Sequence, residues 1–237
     1  MRALRQLFSL ALLAAFAGPA AASTLQLEPV SIRLSPSTRS AVMQLRNSGS
    51  EPIHVQVRAY RWDQELGEDR LRATEELRVS PPIQAIPPGG MQYLRVLLAE
   101  GLEPTSEQSF RLMIDELPRG GVADREVQLL LRYSVPVIVR PAGLAPSDLR
   151  FRLLREQGEA VLVAANSGGQ SAQLADLHFT TADGAPIRVN SGLLGYVLPG
   201  QHRRWPVPLP PGSLDRATGI QAQVDGKASR YHLEVAR

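Results

Sequence analysis

The sequence predicts an all-β chain built as two sandwich domains in tandem. Short runs alternate apolar and polar residues, turn residues punctuate them at sandwich-like spacing, and the same pattern restarts midway through the 237 residues. Strands are expected near residues 41–46, 53–61, 92–98, 109–116 and 127–139. Between them stand Asn47-Ser48-Gly49-Ser50, Pro81-Pro82, Pro87-Pro88-Gly89-Gly90 and Arg119-Gly120-Gly121. No stretch carries a sustained helical period.

The restart is visible where residues 160–164 lead into Asn166-Ser167-Gly168-Gly169, much as residues 43–45 lead into Asn47-Ser48-Gly49. Two related domains follow, 23–142 and 143–237, divided where Pro141, Gly143 and Pro146 concentrate. Residues 1–22 have the layout of a secretory leader. Arg2 and Arg5 precede an apolar run from Leu7 to Ala17, and Ala20-Ala21-Ala22 offers a cleavage site after Ala22. No later run approaches the roughly 20 apolar residues of a membrane helix, so stable membrane insertion is not expected.

Composition excludes several functions. Without the leader, 24 basic residues face 23 acidic ones, so the high isoelectric point is a poor argument for nucleic acid. Lys227 is the one lysine, so a buried carboxylate site would have to use arginine, whose planar fork grips carboxylates and stays charged. With no cysteine, disulfides and thiolate metal sites are impossible, and stability must come from burial. There is no Gly-x-Ser-x-Gly elbow. His54 and His232 sit in strand alternation, and His178 and His202 lack ligand-spaced partners, so no metal is predicted. Glu75-Glu76 reads as solvated loop charge, and Gly120-Gly121 as hairpin punctuation without the strand-to-helix context of a phosphate loop. No cofactor is expected.

The segment of residues 127–135 is long and strongly apolar. It reads either as a central sandwich strand buried on both faces, or as an edge strand whose alternate side chains Val127, Leu129 and Leu131 are offered to another polypeptide.

Taken together, several marks resemble the periplasmic pilus-assembly chaperones of the chaperone–usher family, which have immunoglobulin-like sandwiches. These are Leu45-Arg46-Asn47, Pro88-Gly89-Gly90 before Tyr93-Leu94-Arg95-Val96, Phe110 to Asp115 followed by Glu116-Leu117-Pro118, and Val139-Arg140-Pro141. The resemblance spans the mature chain. It implies two immunoglobulin-like domains, periplasmic location, pilin subunits and an outer-membrane usher as partners, and Val127, Leu129 and Leu131 as donor-strand residues. An apolar strand left bare would aggregate, so self-capping oligomers are expected without a subunit.

In the best-known branch, two basic cleft residues bind the subunit's terminal carboxylate. Ser31 and Pro136 stand at those positions here, a departure that resembles the archaic branch. The candidate replacements are Arg95, Arg33 and Arg132, with Arg95 preferred because it sits in an otherwise apolar strand where a charge needs a partner. The resemblance also implies an interdomain salt bridge of Glu116, Arg140 and Asp225. The alternative reading is an exported binding or adhesion module, against which stands the shortage of aromatic platforms, only Trp62 and Trp205 being tryptophan.

Overall fold

In a computed structural model, described for residues 25–118, 128–181, 186–208 and 216–235, every regular element is a strand apart from a single 3₁₀ residue. The leader, the Gly120-Gly121 loop and Val127 lie outside the described residues.

The first sandwich packs a four-stranded sheet on a larger one. The smaller sheet runs β1 (Leu25–Glu28), β3 (Ser40–Asn47), β8 (Met91–Leu98) and β6 (Leu77–Ser80). The larger runs β2 (Ile32–Leu34), β10 (Arg132–Val139), β9 (Gln108–Leu117), β4 (Ile53–Glu65) and β5 (Glu68–Ala73), with β7 (Ile83–Ile86) also on β4. Period-two alternation decides what each strand buries. Met43 and Leu45 of β3, Leu94 and Val96 of β8, Phe110, Leu112 and Ile114 of β9, and Val135, Val137 and Val139 of β10 fill one core. The first strand segment switches sheets: β1 pairs with β3, whereas β2 runs parallel to β10, with Ile32 opposite Val137.

The second sandwich has its own core, from Leu149 to Leu233. Its strands are β11 (Leu149–Glu156), β12 (Glu159–Asn166), β13 (Ala172–Thr181), β14 (Pro186–Arg188), β15 (Leu193–Val197), β16 (His202–Val207), β17 (Ala217–Val224) and β18 (Lys227–Val235). The ladder runs β14-β13-β17-β18-β11-β12-β16, with β15 on β13. Strand β18 joins the halves, pairing antiparallel with β17 and parallel with β11.

The repeated Asn-Ser-Gly has one structural job in both domains. Asn47 Nδ2 donates to Glu51 O at 2.7 Å and Ile86 O at 3.1 Å, while Gly49 N donates to Asn47 Oδ1. Asn166 Nδ2 donates to Gln170 O at 2.7 Å and Val197 O at 3.1 Å, and Gly168 N donates to Asn166 Oδ1. Each buried amide ties the turn after a core strand to a distant strand end.

The larger sheet of the first domain faces the second. Trp62, Ile138, Leu198 and Tyr196 form a small apolar cluster between the domains, with Trp62 and Tyr196 edge to face at 5.5 Å. Gln64 stitches its rim: Nε2 donates to Tyr196 O at 2.8 Å, and Oε1 accepts from Leu198 N at 3.0 Å. At the β4–β5 turn, Gly67 (φ +85°) accepts from Arg204 N at 3.0 Å. A Cβ there would lie 2.3 Å from Arg204 Cγ, so only glycine permits this approach.

Replacing Asn47 by Ala leaves two carbonyls without their donor and is expected to destabilise the chain by about 2 to 4 kcal/mol. Asn166→Ala should match it in the second domain. Denaturant unfolding of the two variants checks both values.

Candidate functional site

Strand β10 changes character along its length. From Val135 to Val139 it is buried, held by β9 on one side and, from Val137, by β2 on the other. Tyr133 keeps the core-facing parity but is only partly buried, packing at the margin of the core. One and two steps earlier in that parity come Leu131, half-buried, and Leu129, 69% exposed. The ladder with β9 reaches back only to a bond from Glu116 N to Leu131 O at 3.0 Å. Residues 128–131 are therefore not part of a strand, which corrects the expected strand 127–139. The fully buried central-strand reading fails for the same residues: they lie past the end of the opposing core. On the side away from β9, Arg132 to Pro136 pair with no strand among the described residues. This is an open edge carrying exposed leucines.

The neighbouring cleft is cationic. Ser31, one residue before Ile32, and Pro136 lie beside each other, and Pro136 is opposite Arg111 of β9. Arg111 thus occupies the same cross-strand row as the two positions that lack a basic residue. Its guanidinium lies 3.8 Å over the ring of Trp62 and 5.5 Å from that of Tyr196, and among the described residues it makes no hydrogen bond or ion pair. Burial pulls its pKa below the ordinary arginine value, with Asp69 and Tyr196 opposing the shift and Arg203 adding to it. Burial likewise pushes the Tyr196 hydroxyl up, against the pull of Arg111 and Arg33. Arg33 and Arg111 therefore both act electrostatically on Tyr196. The Trp62 indole N–H is buried without an acceptor among the described residues, leaving an indole and a guanidinium as unsatisfied donors in one cleft.

The sequence-based candidates fare differently. Arg33 is exposed and faces this cleft beside Ile138. Arg132 is already committed, because Asp115 takes Arg132 on one oxygen and Arg58, at 2.6 Å, on the other. Burial alone would raise the Asp115 pKa; the two arginine hydrogen bonds outweigh it and hold the carboxyl below its usual range. Arg95 is exposed on the outer face of the smaller sheet, away from the cleft. Its strand is apolar on one face only, so its charge is hydrated and the argument for a buried partner fails. Arg111 was missed because, on β9, it breaks a run of large apolar residues much as a surface arginine would.

The expected Glu116–Arg140–Asp225 bridge is also corrected. Arg140 follows the Val139–Gln108 pair, which brings it to Glu107 at 2.5 Å. The Glu107 side chain is fully buried, and its second oxygen accepts from Ser171 N at 2.9 Å, while Arg140 Nη1 donates to Gln170 Oε1 at 2.8 Å. Glu116 stands at the far end of the antiparallel pair, nine residues along β10 or about 30 Å away. There it meets Leu131 N and Tyr133 OH. Asp225, in the β17–β18 turn, accepts from Gln173 N. The interdomain tie is thus Glu107–Arg140–Ser171/Gln170.

The chain thus comprises two tandem sandwiches, a strand that closes its own core at one end and stands open at the other, and, in the cleft between the domains, an arginine that meets no acid among the described residues. The model of the pili and flagellar-assembly chaperone family, PapD N-terminal domain, matches residues 24–145, and the chain belongs to this family. Solved structures share the fold. One is the CsuC–CsuE chaperone–tip adhesion subunit pre-assembly complex from archaic chaperone–usher Csu pili of Acinetobacter baumannii: 22% identity, TM-score 0.70, covering 91% of this chain and 100% of that one. The Salmonella enterica SafA pilin–SafB chaperone complex gives 20%, 0.61, 89% and 96%. The E. coli chaperone DraB gives 19%, 0.61, 90% and 97%. Among curated proteins none matches.

Arg140→Ala strands the buried Glu107 carboxylate. It is expected to cost about 3 to 5 kcal/mol and to loosen the domain arrangement, whereas Glu116→Ala and Asp225→Ala leave the arrangement unchanged. Unfolding curves and small-angle scattering of the three variants check this.

Proposed function

We propose that this protein is a periplasmic chaperone that holds pilus subunits by lending them the open segment before β10, and passes them to an outer-membrane usher. The observation that carries the reading is the core-parity pair of exposed Leu129 and half-buried Leu131 beside an unpaired strand edge. A subunit lacking a strand would gain ladder hydrogen bonds from residues 128–131 and bury Leu129 and Leu131. Each well-buried leucine contributes roughly 1.5 to 3 kcal/mol. Val127, next in parity, would extend the same row. Export through the leader, cleavage after Ala22 and self-capping of the bare edge belong to this reading.

The subunit's terminal carboxylate is assigned to Arg111 with Arg33, Tyr196 OH being within reach of the same anion. A carboxylate in the cleft gives the desolvated guanidinium the acceptor it lacks. Moving the cation from Ser31 and Pro136 to Arg111 keeps it in the same row and fits the archaic branch.

Capture of a cognate subunit in periplasmic extract tests both halves. Leu129→Ser with Leu131→Ser is expected to abolish capture while the first domain stays folded, since neither side chain is in the core. Arg111→Ala should weaken capture roughly 10- to 100-fold, the worth of a charge-assisted hydrogen bond, and Arg95→Ala should leave it unchanged. Normal capture by the leucine double variant, or its unfolding, would sink the donor-strand reading.

A further inference from the structure

The open segment before β10 is held at its root by a side chain, where a strand pair would use main chain. Two hydrogen bonds fix which way β10 faces. Leu131 O accepts from Glu116 N at 3.0 Å, and Arg140 N donates to Leu34 O at 2.8 Å. Odd-numbered residues therefore turn their main-chain groups toward β9, and even-numbered ones toward β2 or, before β2 begins, toward the open edge. An antiparallel pair of this kind exchanges two bonds, so Leu131 N is expected to return to Glu116 O. It turns instead to the carboxylate of Glu116, 3.4 Å from Oε2, and the paired register begins only at Arg132. The other oxygen, Oε1, accepts from Tyr133 OH at 3.3 Å, and the same hydroxyl reaches Leu25 O of β1 at 3.3 Å. Through Tyr133 the carboxylate is thus tied to both sheets of the first sandwich. One rung further out, Leu129 would face Pro118, which has no N–H to give. Beyond Leu131, β9 therefore has no further main-chain donor for the segment.

We propose, building on the donor-strand reading, that Glu116 is a positioning residue for subunit binding: it pins the segment at Leu131 and lets the chain leave the sheet beyond that point. The amide it takes points toward β9, so the hold uses none of the main-chain groups of Arg132 and Ser134 that a partner strand would pair with. A side-chain acceptor follows the amide as the chain swings away from β9, which a carbonyl fixed in the ladder cannot do. Fixing one residue of the segment in advance also removes part of the ordering that binding would otherwise have to supply. The row of Leu131 and Leu129 then starts from a set position. Asp115, the preceding acid, takes Arg132 on the opposite face of the strand. Consecutive acids of β9 thus fix the consecutive residues at which the segment begins.

Two measurements on the full mature chain test this role. In amide hydrogen exchange, Glu116→Ala should speed exchange at Leu131 roughly 10-fold, whereas Glu116→Gln, which keeps an oxygen acceptor, should change it less than about twofold. In competition with the wild-type chain for the subunit that the wild type retains in the periplasm, Glu116→Ala should bind about 5- to 20-fold more weakly. Glu116→Gln should regain most of that loss, and the denaturant midpoint should stay in place for both. The positioning role is overturned if Glu116→Ala leaves exchange at Leu131 unchanged, if it competes as well as the wild type, or if its weaker binding comes with an equal loss of stability and Glu116→Gln does not restore it. If the double variant Leu129→Ser with Leu131→Ser competes normally, or the wild type retains no subunit, the donor-strand reading falls and this role falls with it. If the double variant fails while Glu116→Ala binds normally, the positioning role alone is lost.

Discussion

Strand β10 must serve two environments with one periodicity. Side chains of one parity, from Tyr133 to Val139, meet the facing sheet and lock the strand into the first sandwich. A β-strand cannot change parity without a bulge, so if the strand were extended backward by pairing with another chain, the same face would continue through Leu131 and Leu129 after the opposing core has ended. Exposed Leu129 and half-buried Leu131 would then extend the core row beyond its own roof. The switch of the first strand segment from β1 to β2 closes the sandwich over Val137 to Val139 and leaves the preceding stretch of edge uncovered.

Charge placement follows the same economy. Asp115 neutralises the arginines near the open edge, and Glu107 neutralises Arg140 at the linker, in a buried cluster that reaches both domains. Between them Arg111 is left with only aromatic faces, one ring from each domain. Rings attract a guanidinium but do not accept its hydrogen bonds well, so the cleft combines a desolvated cation with unmet donor capacity. An incoming carboxylate would answer both at once and would touch the surface where the two domains meet.

Much of this was legible in the residues. The all-β class, the early strands and the paired Asn-Ser-Gly turns are local signals, and local signals survive without coordinates. What was not legible depended on which end of an antiparallel pair lies near the linker. Glu116 looked like the partner of Arg140 because it follows the strand, yet antiparallel pairing brings Glu107 there instead. Arg95 and Arg111 both interrupt apolar strands, and sequence alone does not say that one faces water and the other a tryptophan. The length of β10 was overestimated because apolar content marks a capacity for pairing, whereas the ladder needs a neighbour.

The clamps at Asn47 and Asn166 also bear on how the molecule ages. An asparagine followed by a small residue loses ammonia when the next backbone nitrogen attacks its side-chain carbonyl carbon, a step that needs the amide to swing freely. Both amides are fully engaged: the nitrogen donates twice, and the oxygen accepts from the glycine two residues on. The Asn-Ser-Gly turns that mark the two domains in the sequence are thereby shielded from the spontaneous chemistry to which such a tripeptide is prone in an unfolded chain.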